Sequence, residues 1–257
     1  MALHTVLLLF VTGIFGGVMA SLVGGASVFT FPVLLATGLP PVVATASNLV
    51  AVSPGNFLAA LADRSQLPPF NRDFIGLIAA SVLGALAGAV LLMLTPARLF
   101  EVLIPLLLGF ATVLFAFSGR ITQWLRARAQ ARGSGAPKMS VTSIPILLPV
   151  SVYGGYFGAG VGVLLLGVLT IATGGDYRSA NVAKNLVSSL NTLAASICFI
   201  ASGAVSWPPT LSMMAGCLIG GYCGAHLARL VPQAMMRIVV VVVGAALTAA
   251  FAWRYWF

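Results

Sequence analysis

Apolar residues fill most of this chain, in runs that are long enough for helices and are separated by glycine, proline or charged residues. This pattern predicts five helical segments in each half of the chain. They lie at about 3–22, 25–37, 41–62, 73–95 and 99–118, and then at about 143–158, 161–173, 179–202, 208–230 and 234–255. The second and seventh segments are short, because thirteen residues reach about 20 Å and a hydrocarbon core is about 30 Å thick. We expect them to be broken helices that end inside the membrane or cross it together with unwound backbone.

The two halves repeat one short pattern, about 137 residues apart. Gly25 precedes Asn48 by 23 residues, and Gly162 precedes Asn185 by the same 23. Each copy also contains an Ala-Thr-Gly sequence, a later GxxxG step and a proline eight residues after that step. Duplication with breaks in matching places is typical of secondary transporters, whose substrate sites form where two repeats meet. We predict a first transmembrane repeat over 1–118, a basic cytoplasmic linker over 119–140 and a second repeat over 141–257.

Composition places these segments in a membrane. The chain is 60% hydrophobic and 7% charged, whereas soluble domains carry about a quarter charged residues. The net charge of +9 comes from basic residues beside the segments and in the linker, so a lipid bilayer is the expected partner and nucleic acid is not. The three cysteines lack metal-site or disulfide spacing, and neither a metal nor a cofactor is predicted.

The distribution of Lys and Arg predicts the topology. If both short segments cross the membrane, the second repeat is inverted relative to the first, and the positive charges divide 11 to 2 in favour of the cytoplasm. If the short segments turn back, the division is 8 to 5. The positive-inside rule therefore favours two inverted repeats with both termini outside.

Glycines just before the short segments are the first part of a candidate site. Irregular backbone in a membrane is tolerated only where protein or a water-filled cavity surrounds it. A helix that starts there directs free N–H groups and its positive dipole end into the cavity, which suits an anion. The expected residues are Gly24, Gly25, Gly160 and Gly162. The alternative is that these glycines only permit close helix crossings.

Polar side chains in segments three and eight are the second part. Asn48 and Asn185 correspond in the repeat, and Ser47 corresponds to Lys184. In segment eight the spacing i, i+3, i+4, i+7 places four polar residues on one face: Asn181, Lys184, Asn185 and Ser188. Lys184 is the expected counter-charge for an anion if it points inward, and otherwise extends to the cytoplasmic interface. Interhelical hydrogen bonding is the alternative role for the Asn and Ser residues.

The doubled glycine hairpin, the Ala-Thr-Gly sequence before a polar helix, and the GxxxG step followed by proline resemble the TauE/SafE sulfite exporter family. The resemblance covers residues 10–250 apart from the linker. It implies a bacterial inner-membrane permease that moves sulfite, sulfonates or related sulfur-containing organic anions, often outward. The family's glycine-hairpin and polar-helix positions fall here on Gly24, Gly25, Ser47, Asn48, Gly160, Gly162, Lys184 and Asn185. One departure is Leu49, since the family often has a lysine after the polar residues of the first half as well.

We therefore expect a multi-pass secondary transporter of a small anion, such as sulfite, a sulfonate or an organic acid, that works by alternating access between the repeats. An anion channel or a non-transporting membrane scaffold is the alternative. An enzyme is not expected, because the only histidines are His4 and His226 and no segment carries two carboxylates. The GxxxG steps favour packing within one chain, although they are also compatible with a homodimer.

Overall fold

The computed structural model describes residues 2–22, 24–62, 64–131, 144–173, 177–227 and 233–256. In these ranges the chain forms ten α-helices, one short 3-10 turn at Arg64–Gln66 and no strand. The helices are α1 (Leu3–Leu22), α2 (Ala26–Ala36), α3 (Pro41–Ala62), α4 (Arg72–Leu94), α5 (Ala97–Ala131), α6 (Ile144–Tyr156), α7 (Val161–Ala172), α8 (Tyr177–Ala201), α9 (Trp207–Leu227) and α10 (Gln233–Trp256). Five are long and apolar enough to cross a membrane by themselves, namely α1, α3, α4, α5 and α10. The prediction of an all-α polytopic membrane protein is confirmed.

Helix boundaries agree with the predicted segments to within two residues, apart from the ends of α5 and α9. Segment five was expected to end at 118, but α5 continues through Gly119 to Ala131. Residues 120–131 are rich in arginine, glutamine and alanine and contain no proline, so they favour helix. The first part of the predicted linker therefore extends α5. The remainder of that linker, 132–140, lies outside the described residues, as do Gly174 and Pro232.

The GxxxG glycines make close contacts between helices of this chain, as predicted. Gly84 and Gly88 of α4 lie against the backbone of α6, where a Cβ built on Gly84 would come within 2.7 Å of the Ser151 Cβ. Gly220 and Gly224 of α9 lie in the same way against the backbone of α1. In both cases the fourth helix of one half packs on the first helix of the other half. Small residues at these positions let the helix axes approach closely.

The halves are joined across the middle of the bundle by reciprocal contacts. The Ser53 Oγ of α3 donates to the Ser189 carbonyl of α8 at 3.3 Å, and the Ser189 Oγ donates to the Ser53 carbonyl at 3.2 Å. Reciprocal contacts of this kind are typical of two corresponding helices, here α3 and α8, that pack against each other near a twofold axis. The two halves therefore interlock and are not separate bodies. Their inverted orientation in the membrane stays a prediction.

Candidate functional site

Glycines in left-handed conformation interrupt the helical backbone just before both short helices. Between α1 and α2, Gly24 has a φ of +81° and Gly25 immediately precedes the helix. Between α6 and α7, Gly158 and Gly160 have φ values of +78° and +79°. Residues with a Cβ rarely adopt these angles, so glycine is required at these turns. The predicted interruptions are confirmed, and α2 and α7 begin inside the bundle.

The two glycine hairpins touch each other. A Cβ built on Gly24 would lie 2.6 Å from the Gly162 Cα, and one built on Gly162 would lie 2.5 Å from the Gly24 Cα. Both contacts are backbone against backbone, so neither position accepts a side chain without separation of the hairpins. On the other side, α5 covers both hairpins, with Phe115 against Gly25 and Ala111 near Gly160.

A small cavity lies beside the hairpin contact. Its volume is about 20 Å³, which is room for one water-sized molecule. The first residues of α2 and α7, Ala26 and Val161, form part of its wall, so both helix N-termini adjoin it. N-terminal N–H groups lack acceptors within their own helix, and the dipole gives that end a partial positive charge. The full lining is Ala20, Gly24, Ala26, Ser27, Leu49, Val52, Asn56, Gly158, Val161, Lys184, Ser188 and Thr192.

Lys184 of α8 supplies the charge in this wall. Its side chain is 1% exposed, so it is enclosed by protein and does not reach an interface. The Nζ donates to the Ala20 carbonyl at 3.1 Å, in the last turn of α1. That carbonyl end carries the negative pole of the α1 dipole, which stabilises a cation. In the described part of the chain the ammonium makes this one hydrogen bond, so two of its three N–H donors are unused.

Asn48 has a fixed place one layer behind the cavity. Its Nδ2 donates to the Ser27 Oγ at 3.0 Å, and its Oδ1 accepts from the Thr30 Oγ1. These bonds hold α3 against the first turns of α2, and Ser27 in turn lines the cavity. Asn48 therefore orients a lining hydroxyl.

Among the described residues, Asn185 lacks the hydrogen-bond partners that Asn48, its counterpart in the first half, has. In the repeat, Leu164 and Gly167 of α7 stand where α2 has Ser27 and Thr30. The Asn185 Oδ1 is buried without a hydrogen-bond partner in the described chain, and so is the Asn181 Oδ1 one turn earlier. Neither residue lines the cavity. The two halves are thus similar in backbone and different in polarity.

The predicted site residues divide into three groups. Gly24, Lys184 and Ser188 lie in the cavity wall. Gly162 and Asn48 contact residues of that wall. The others are directed elsewhere: Gly25 and Gly160 pack on α5, Asn181 and Asn185 lie off the cavity, and the Ser47 Oγ accepts from the Ser206 N–H at 3.0 Å, just before α9.

Some polar residues that matter were absent from the predicted site. Ser27 and Thr192 line the cavity, and Thr192 continues the i, i+4, i+8 row of Lys184 and Ser188 on α8. That spacing and the position of Ser27 in the first turn after the glycine pair are signals in the sequence. Further along α8, the Asn191 Nδ2 donates to the Ser81 and Ser151 carbonyls at 3.1 and 3.2 Å. Asn191 thereby joins α8 to α4 and α6.

The groups in the cavity wall are mainly hydrogen-bond donors and apolar side chains. The wall offers one ammonium, hydroxyl groups, an amide and two helix N-termini, and it contains no carboxylate. In the part of the chain that the structure describes, no three His, Cys, Asp or Glu residues group as metal ligands would. The wall can therefore donate several hydrogen bonds to an oxyanion and compensate one negative charge.

The chain is similar to proteins named as probable membrane transporters. Residues 9–251 match the family model described as Sulfite exporter TauE/SafE. A "Probable membrane transporter protein" of Haemophilus influenzae is 23% identical, with 97% of this chain and 96% of that protein covered. "Probable membrane transporter protein ORF9" of Sinorhizobium sp is 26% identical over 96% and 92%, and "Probable membrane transporter protein YfcA" of Escherichia coli (strain K12) is 24% identical over 94% and 87%. No solved structure shows significant similarity to the chain.

Proposed function

Because the chain belongs to the sulfite exporter TauE/SafE family of membrane transporters, we propose that it carries a small anion across the inner membrane of a bacterium. The proposed substrates are sulfite, a sulfonate or a related organic acid. The proposed binding place is the cavity between the two glycine hairpins. The observation that carries this proposal is the buried ammonium of Lys184 in a cavity wall that has no carboxylate.

Burial removes the Lys184 ammonium from water. A buried charge costs several kcal/mol unless it is paired and hydrogen-bonded. The Ala20 carbonyl and the α1 dipole offset part of this cost, but they carry no full negative charge. An oxyanion in the cavity would supply that charge and accept the unused N–H donors of Lys184. In the first turns of α2 and α7, the Val28, Val161 and Val163 N–H groups already donate to carbonyls of the hairpins, and the remaining N–H groups there would contribute further donors.

The size of the cavity implies a conformational step. At about 20 Å³ it holds a water-sized molecule and not a sulfonate, so binding of the proposed substrate requires the cavity to widen. The glycine contacts of α1 with α9, and of α4 with α6, make each pair a close-packed unit with one helix from each half. We therefore propose alternating access in which these mixed pairs move relative to each other, because a rocking of whole repeats would break both contacts.

The proposal is tested with purified protein in liposomes, using radiolabelled sulfite as the probe. Unlabelled sulfite, methanesulfonate or acetate is enclosed inside, and uptake of the label is measured. A carrier gives saturable uptake that is faster when a substrate is present on the far side. Uptake that does not saturate and ignores internal anion would indicate a channel, and no uptake for any anion of a wider panel would contradict transport.

A further inference from the structure

Helices α5 and α10 run antiparallel, and their apolar spans end beside each other at one end. Gly109 of α5 lies near Thr248 of α10, and Gly119 lies against Arg237. The apolar span of α5 ends at Ile121, and that of α10 begins at Arg237. The Gly119–Arg237 contact therefore lies where both apolar spans end, and we expect lipid headgroups at this level.

A basic pocket of about 370 Å³ opens between the two helices at this level. It is lined by Ala116, Phe117, Gly119, Arg120, Gln123 and Arg237. Two guanidinium groups and an amide thus face a pocket whose wall holds no carboxylate. The pocket volume is within the range of ligand sites, about 300–1,000 Å³. No residue of this wall belongs to the Lys184 cavity, so the two places are separate.

Both arginines contact residues of the pocket wall. The Arg120 guanidinium lies over the Phe117 ring, with its Cζ 5.8 Å from the ring centroid. The Arg237 guanidinium occupies the space that a side chain at position 119 would fill, because a Cβ built on Gly119 would collide with the Arg237 Nη1. Guanidinium groups bind phosphate oxygens through two parallel N–H donors.

We propose that this pocket binds the phosphate group of an anionic phospholipid. The headgroup level supplies such phosphates, and basic pockets between membrane helices are suited to them. Exposed apolar side chains continue from the pocket toward the membrane centre on both helices, with Val113 of α5 and Val242 of α10 among them. Acyl chains would lie along these side chains. The lipid would thereby hold α5 and α10 together, and it would not take part in transport.

The test is native mass spectrometry of the full chain, titrated with phosphatidylglycerol and, as the uncharged reference, phosphatidylcholine. The variant is Arg120→Gln with Arg237→Gln. Each arginine near an anionic headgroup is worth about fivefold in affinity, so we expect about 25-fold weaker binding of phosphatidylglycerol and unchanged binding of phosphatidylcholine. Gly119→Ala keeps both charges but displaces Arg237, and it should lose affinity as well. If the double variant does not fold, the test uses Arg120→Gln alone, because the exposed Arg120 side chain can be replaced without disturbing the fold.

The matched control is Arg98→Gln with Arg254→Gln, two exposed arginines on the same helices at their opposite end. This variant should keep the affinity of the original protein. Equal losses in both double variants would overturn the pocket, since net charge alone would then explain them. Unchanged phosphatidylglycerol binding in the Arg120 and Arg237 variants would overturn it too. Displacement of the lipid by inorganic phosphate at equal concentration would assign the pocket to a free anion and reject the lipid.

Discussion

Gly24→Ala tests the contact between the two glycine hairpins, on which the site depends. Alanine at this position meets two separate penalties. The φ of +81° costs about 1–2 kcal/mol for a residue with a Cβ. The new Cβ also lies 2.6 Å from the Gly162 Cα, and such overpacking against backbone costs about 1–3 kcal/mol. The expected loss in free energy of unfolding is about 2–5 kcal/mol.

Gly38→Ala is the matched control, because Gly38 has a φ of +89° and open space where the Cβ would go. It carries the backbone penalty alone, so the difference between the two variants isolates the hairpin contact at about 1–3 kcal/mol. Reversible denaturation in detergent, followed by tryptophan fluorescence, measures both. Equal destabilisation of the two variants would refute the close approach of Gly24 and Gly162.

Three further predictions concern polar residues and topology. Asn48→Leu should lower the free energy of unfolding by about 1–3 kcal/mol, because it removes two buried side-chain hydrogen bonds. Asn185→Leu should cost less, because the Asn185 Oδ1 has no hydrogen-bond partner in the described chain. Chemical denaturation compares the two variants, and equal costs would contradict the difference between the two asparagines. Asn191→Leu should destabilise by a similar amount, seen as a lower Tm, and an unchanged Tm would exclude its role between α4, α6 and α8. After replacement of the native cysteines, Arg254→Cys should react with an impermeant thiol reagent from outside and Arg237→Cys only from the cytoplasm; the reverse pattern would reject the predicted orientation.

Much of the fold could be predicted from the sequence because a membrane restricts what the chain can form. A lipid-exposed segment must satisfy its own backbone, so apolar runs bounded by breakers give helices with well-defined ends. The glycine pairs predicted the interruptions before α2 and α7 correctly, since left-handed turns need glycine. The extension of α5 to Ala131 was missed because polar, arginine-rich residues were interpreted as linker, although they are good helix formers.

The site was harder to predict, because residue spacing shows which side chains share a helix face but not which other helix that face contacts. The four polar residues from Asn181 to Ser188 span a wide arc of α8, and only Lys184 and Ser188 within it line the cavity. Ser47 matches Lys184 in the repeat, yet it accepts a hydrogen bond from the Ser206 N–H beside α9. Which side chain faces the cavity depends on how α3 and α8 rotate against other helices, and that is tertiary information.

Anion binding by Lys184 in the cavity is tested by ligand-induced thermal stabilisation. Purified protein is heated with sulfite, sulfate, methanesulfonate or acetate, in parallel with Lys184→Met and with Arg254→Gln as a surface control. At 100 times Kd, a ligand of the folded state should raise the Tm by roughly 5–10 °C. We predict this rise for at least one anion in the original protein and in Arg254→Gln, and none in Lys184→Met, whose Tm without ligand should not fall because methionine replaces a buried charge. An equal rise in Lys184→Met, or no rise with any anion, would show that Lys184 does not bind an anion in this cavity.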